Sequence, residues 1–139
     1  MPATPSLPNP NPHRTLRVLI ADDDRDTVES LAFILRDEGH VVHAVYAGTD
    51  VLPAARLFRP DAAILDISIP GMSGYAAAQV IRSVFLDVRR PLLIAISGIW
   101  KEGPDRRVAE QVGFDHHLAK PYQSAEILRL LDPLQQRES

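Results

Sequence analysis

The stretch Leu16–Gly39, LRVLIADDDRDTVESLAFILRDEG, decides how the rest of the chain is read. Its opening, Leu16–Ala21, is apolar, too short for a helix and bounded by charge. Because apolar and polar side chains do not alternate along it, this run predicts a strand covered on both faces, as in a parallel sheet. Val28, Leu31, Ala32 and Leu35 then recur at helical spacing, and Gly39 stands where that helix would stop. Between strand and helix lie Asp22, Asp23 and Asp24, three carboxylates at a strand end.

The same strand–helix phrase recurs outward from this stretch. Val41–Ala47 predicts a strand, followed by a helix near Asp50–Phe58 with Val51, Leu52, Ala55 and Phe58 on one face. Ala62–Leu65 predicts the third strand, and Ser73 is expected to cap a helix carrying Ala77, Val80, Ile81, Val84 and Phe85. Leu92–Ile96 is the most apolar strand, followed by a helix near Asp105–Val112 that Gly113 would end. His116–Ala119 is a short last strand, and Ile127, Leu130 and Leu131 mark a closing helix. Five strand–helix units joined by right-handed crossovers imply an α/β domain, a parallel sheet with helices on both faces. In such sheets ligands sit beyond the carboxyl ends of the strands.

Composition narrows the function classes. The 139 residues suit one domain, and 15 Lys+Arg against 18 Asp+Glu give a net charge of −3. That balance lacks the basic footprint of a protein that grips nucleic acid by its phosphates. There is no cysteine, which excludes disulfides, thiolate metal sites and cysteine nucleophiles. The longest nearly uncharged apolar run, Pro91–Trp100, is about half of the roughly 20 residues a membrane span needs. The first fifteen residues show no signal-peptide pattern, and a cytoplasmic single domain is expected. Five of the twelve prolines fall within Met1–Pro12, so residues 1–15 are expected to form a disordered or polyproline-like tail. The domain is expected over 16–132, with a short tail over 133–139.

The strand ends carry the chemistry. The first ends in Asp22–Asp24, the third in Asp66, the fourth in Ser97, and the fifth in Lys120 followed by Pro121. Carboxylates brought together from neighbouring strands resist joint ionisation unless a cation is present. An all-oxygen donor set favours a hard ion, and Mg²⁺ fits best, since it takes one or two carboxylates, waters and a substrate phosphate. A lysine opposite would complete an electropositive pocket for a phosphoryl group, with Ser97 donating to one of its oxygens. Asp66 is then either a metal ligand or the nucleophile of an aspartyl-phosphate.

These landmarks, the acidic run in LRVLIADDD, the strand-end aspartate in AAILDISIPGMSG, Ser97 in LLIAISG and the Lys-Pro pair in FDHHLAKPY, resemble the receiver domain of two-component response regulators. The resemblance implies a flavodoxin-like sheet of order 2-1-3-4-5. It implies Asp66 as the aspartate phosphorylated by a sensor histidine kinase or a histidine phosphotransfer protein. Asp23 matches the direct Mg²⁺ ligand, Asp22 acts mainly through water, and the Ser68 backbone carbonyl is the remaining protein ligand. Lys120 would pair with the phosphoryl group, the Lys120–Pro121 bond is expected to be cis, and Ser97 matches the switch hydroxyl. His117 stands three residues before Lys120, where the family usually has Tyr or Phe whose ring turns inward on activation. The readout surface, for a protein target or a homodimer, would be the expected fourth helix, fifth strand and fifth helix, residues 105–131.

Simpler roles compete for some of these residues. Asp24 and Asp26 suit the first turn of a helix, and Asp26 with Glu29 resembles a capping box. Gly71 and Gly74 serve turn geometry. Two other functions compete: a phosphate-independent binding module on the same fold, and a Mg²⁺-dependent phosphatase, resembling haloacid dehalogenases, with an aspartate nucleophile. The phosphatase usually carries a second Asp two residues after the nucleophile, where this chain has Ser68. Too few residues follow Asp132 for an effector domain, so either a stand-alone receiver or a receiver of a longer protein is expected. The segment AISGIWKEGPDRRVAEQVGFDHHLAKP is similar to receivers attached to hybrid histidine kinases, whereas Met1 and the proline-rich start favour an independent chain.

Overall fold

A computed structural model describes residues 14–69, 71, 74–85, 90–97 and 113–136. The elements are β1 (Arg17–Ala21), α1 (Arg25–Asp37), β2 (Val41–Val45), α2 (Val51–Phe58), β3 (Ala62–Asp66), α3 (Gly74–Val84), β4 (Leu92–Ser97), β5 (His116–Ala119) and α4 (Ser124–Gln135). A short 3-10 turn, Gly48–Asp50, joins β2 to α2. The expected Ser73 cap and the helix near 105–112, with the part of the readout face it supplies, lie outside the described residues.

All strand pairs are parallel, and the sheet order is β2-β1-β3-β4-β5. The period of two splits each strand between two cores. Val18 and Ile20 of β1 and Ile94 and Ile96 of β4 pack with Val28, Leu31 and Leu35 of α1 and Ile127 and Leu131 of α4. Leu19 and Leu93, on the other face, pack with Val51 and Ala55 of α2 and Ala77 and Ile81 of α3. Every side chain of β3 is buried, which is why its sequence runs apolar without alternation.

Several local expectations are corrected. The N-cap of α1 is Asp24, whose Oδ2 accepts the Thr27 hydroxyl at 2.7 Å, so the Asp26–Glu29 capping box does not form. Backbone position decides this, because Asp24 has extended backbone and Asp26 already lies inside the helix. β2 stops at Val45, two residues short of the expected end, and the chain bends through Tyr46 and Ala47 into the 3-10 turn at Gly48. The buried face of α2 is Val51, Ala54 and Ala55, while Phe58 is only part-buried, with the Arg17 guanidinium 4.3 Å over its ring. In α3, Ala78 is buried where Val80 was expected to be. Helix α4 continues past 132 to Gln135, burying Leu134, and the Gln135 carbonyl accepts the Arg14 N–H at 3.3 Å.

Candidate functional site

Strand register builds the site. Ala21 of β1 pairs with Leu65 of β3, so Asp22 and Asp66 emerge side by side one residue later. Asp66 pairs with Ile96, Ser97 pairs with Ala119, and Lys120 follows directly. The Lys120 N–H donates to the Ser97 carbonyl at 2.7 Å, which fixes where the lysine leaves the sheet. The Lys120–Pro121 bond is cis, as expected.

Lys120 Nζ lies 3.0 Å from Asp22 Oδ2 and 3.1 Å from Asp66 Oδ2. Each carboxylate is also held by a backbone amide. The Asp24 N–H donates to Asp22 Oδ1 at 2.9 Å, and the Ser68 N–H donates to Asp66 Oδ1 at 2.8 Å. Asp22 and Asp66 are buried, whereas Asp23 is exposed at the rim. One oxygen from each of Asp22, Asp23 and Asp66 falls within 4.8 Å of the others. This all-oxygen set fits a hard divalent cation, with Asp22 and Asp66 rigidly placed and Asp23 open to solvent.

Burial pushes the Asp22 carboxyl above its ordinary value, with the Asp66 charge adding to the rise, more than the Asp24 amide and Lys120 offset. Burial works against the charge of Lys120, but the two carboxylates outweigh it and hold the ammonium above its usual range. Tyr122, two residues on, is half-buried, and its phenol is pushed up to about 12, chiefly by burial and then by Asp22. Sequence reading missed Tyr122, although its place after Lys120–Pro121 puts it beside the site. Its neighbours Lys120, Pro121 and Ser124 share with Asp24, Thr27, Leu31 and Ile34 of α1 an open groove of about 770 Å³.

Ser97 is buried at the end of β4. His117 is part-buried and pairs in register with Ala95, which places it on the same sheet face as Ser97. Leu118, on the opposite face, packs into the core under α1 and α4. The expected site residues Asp22, Asp23, Asp66, Ser68, Ser97 and Lys120 thus gather at one rim, with His117 lower on the same sheet.

Fold and cleft define a class: flavodoxin-like α/β domains with a carboxylate-lined, cation-competent cleft at the strand carboxyl ends. The chain belongs to the response regulator receiver domain family, whose model matches residues 18–132. It is 35% identical over 121 residues to the transcriptional regulatory protein PrrA of Mycobacterium tuberculosis, covering 87% of this chain and 50% of that protein. The chain therefore spans about half the length of the curated relatives it matches. Among solved structures it resembles the receiver domain of sensor histidine kinase PA1611 from Pseudomonas aeruginosa PAO1, with a TM-score of 0.75 and 30% identity. That match covers 86% of this chain and 97% of the other, which was solved with a magnesium ion coordinated in the active site cleft. A putative response regulator from Chloroflexus aurantiacus matches with a TM-score of 0.78 and 25% identity, covering 89% of this chain and all of its own. Among the described residues no helix is long and apolar enough to cross a membrane.

Proposed function

We propose that the chain is a phosphoacceptor switch in which Asp66 takes a phosphoryl group from a phosphohistidine of a sensor histidine kinase or histidine phosphotransfer protein. The observation that carries this reading is the convergence of Lys120 on Asp66 and Asp22, at 3.1 and 3.0 Å, within a cation-competent carboxylate trio. An Asp66 carboxylate oxygen attacks phosphorus in line. The new O–P bond forms as the P–N bond breaks, and the imidazole leaves with the electron pair. Lys120 then moves its charge from the carboxylate toward the phosphoryl oxygens, and the Ser68 amide keeps Asp66 aimed.

Asp23, Asp66 and the Ser68 backbone carbonyl would hold Mg²⁺ directly, with Asp22 acting through water. Bound there, the ion supplies positive charge that offsets the carboxylates and the incoming phosphate. The phosphorylated aspartate carries a charge of about −1.5 to −2, which recruits the Ser97 hydroxyl. His117, on the same face of the sheet, takes the place of the family's switch aromatic. The change is read at the 105–131 face by a partner protein or a second copy. The domain signals rather than turning over a substrate, and a cytoplasmic location goes with this role.

Intact-mass analysis of the full chain incubated with acetyl phosphate tests the reading. A single phosphoryl adduct is expected that requires Mg²⁺ and is lost in Asp66→Asn. Labelling that persists in Asp66→Asn at the wild-type rate would refute it.

A further inference from the structure

Gly71 brings two loops into contact beside the cleft. Its φ is +96°, and a Cβ built there would stand 3.3 Å from both Thr49 Cγ2 and the Thr49 backbone nitrogen, and 3.4 Å from the Gly48 nitrogen. Gly39 supplies the comparison, since its φ is +97° and a Cβ there would meet nothing within 4 Å. The left-handed backbone explains a glycine at both positions. The close approach is particular to Gly71.

That approach joins the supports of the two buried carboxylates. Gly48 and Thr49 belong to the turn that follows β2, and the Val45 carbonyl at the end of β2 accepts the Asp22 N–H at 3.2 Å. On the other side, Gly71 follows the Ser68 whose N–H holds Asp66 Oδ1 at 2.8 Å. Between them Ile69 is buried in the same core as Val45 and Val51, which anchors the β3 loop toward the β2 side of the sheet. Gly71, three residues past Ser68, therefore lies close to the turn that continues the strand bonded to Asp22.

We infer that Gly71, seated on Gly48–Thr49, is a positioning residue for the cleft, setting the Ser68 backbone and through it Asp66 at a fixed distance from Asp22. The functional consequence rests on the phosphoacceptor reading, while the positional one does not. A Cβ at 71 requires Gly48–Thr49 or the Gly71 backbone to give by a few tenths of an ångström, and small misplacements of a reacting group cost large factors in rate.

The test compares Gly71→Ala with Gly39→Ala in the full chain, reading Mg²⁺ affinity by calorimetry, labelling by acetyl phosphate, melting temperature and the Ser68 amide resonance. Both variants should lose stability. Gly71→Ala alone should move the Ser68 amide signal and weaken Mg²⁺ binding, with labelling slowed about ten- to a hundredfold. Adding Thr49→Ser, which trims the contacting methyl, should restore part of that loss. If Gly71→Ala does not fold, Gly71→Asn serves, since Asn tolerates left-handed backbone while keeping the Cβ contact. An unmoved Ser68 amide with unchanged Mg²⁺ affinity would reduce Gly71 to a turn residue and overturn the proposal. If wild-type protein neither binds Mg²⁺ nor is labelled, the phosphoacceptor reading falls, and the Ser68 resonance alone decides the brace.

Discussion

Lys120 Nζ stands 3.1 Å from Asp66 Oδ2 while the same ammonium lies 3.0 Å from Asp22 Oδ2, so one lysine bridges two buried carboxylates that follow different strands and offsets only part of their charge. Without a bound cation it is their nearest positive charge among the described residues, and a divalent ion entering the trio has to compete with it. Lys120→Met should therefore tighten Mg²⁺ binding, by up to about tenfold or 1.4 kcal/mol, while slowing phosphorylation by acetyl phosphate. Calorimetry and intact-mass kinetics on one preparation check both signs. Weaker Mg²⁺ binding in the variant would mean that the lysine supports the metal rather than opposing it.

Asp22 is held in the folded protein with its carboxyl above the ordinary 3.8, chiefly by burial. A raised folded value favours the neutral form, so its contribution to stability is present below the ordinary value and is lost as pH rises through the folded one. Asp22→Asn, which keeps an oxygen for the Asp24 N–H, should leave metal-free protein at neutral pH at least as stable as wild type. It should bind Mg²⁺ more weakly. Thermal melts with and without Mg²⁺ decide this, and a clear drop in the metal-free melting temperature would contradict it.

Asp115 behaves in the opposite sense. Burial opposes its ionisation, but both oxygens engage Arg90 at 3.0 Å and Oδ2 also accepts the Leu93 N–H at 2.8 Å, which holds the carboxyl below its ordinary 3.8. A lowered folded value gives stability that is full above about 4 and is lost as pH falls through the folded value. Asp115→Asn should cost about 1–2 kcal/mol at neutral pH, because the charged fork onto Arg90 is lost where β4 begins. The penalty should shrink toward pH 3, as urea titrations at pH 7 and pH 3 would reveal. An equal penalty at both would assign the effect to packing instead.

Gly113 precedes β5 with φ +94°, and a Cβ there would collide with the end of the Arg82 side chain, whose guanidinium donates to the Gly113 carbonyl at 3.2 Å. Gly113→Ala should lose about 1–2 kcal/mol to backbone strain and more to displacement of Arg82. Gly39→Ala, with the same backbone and open space around it, should lose only the first part. Chemical denaturation of the two variants gives the difference, and equal losses would show that Arg82 moves aside freely.

Much of the fold was legible because strand and helix periods are local. Unalternating runs such as Leu16–Ala21 and Ala62–Leu65 announce strands buried on both faces, and the period-3.6 pattern of Val28, Leu31, Ala32 and Leu35 is the buried stripe of α1. The candidate rim residues were legible because they stand at strand ends, where each apolar run gives way to polar groups. Less legible was anything set by one residue of register or exposure. Asp24 rather than Asp26 caps α1, Leu134 beyond the expected boundary is buried, and Phe58 is only partly covered by the core, with Arg17 over its ring.

By itself the sequence determined the class of fold and the identity of the groups at its rim, because both follow from local periodicity and from the residues that end each strand. Strand order was inferred through family resemblance, and the structure shows it as hydrogen-bonded register. Only the tertiary structure decided that Lys120 reaches Asp22 as well as Asp66, that Asp23 stays exposed beside them, and that Gly71 rests on Thr49. Such distances join residues far apart in the chain, and they are fixed by how sheet and helices pack rather than by any property of the residues taken in order.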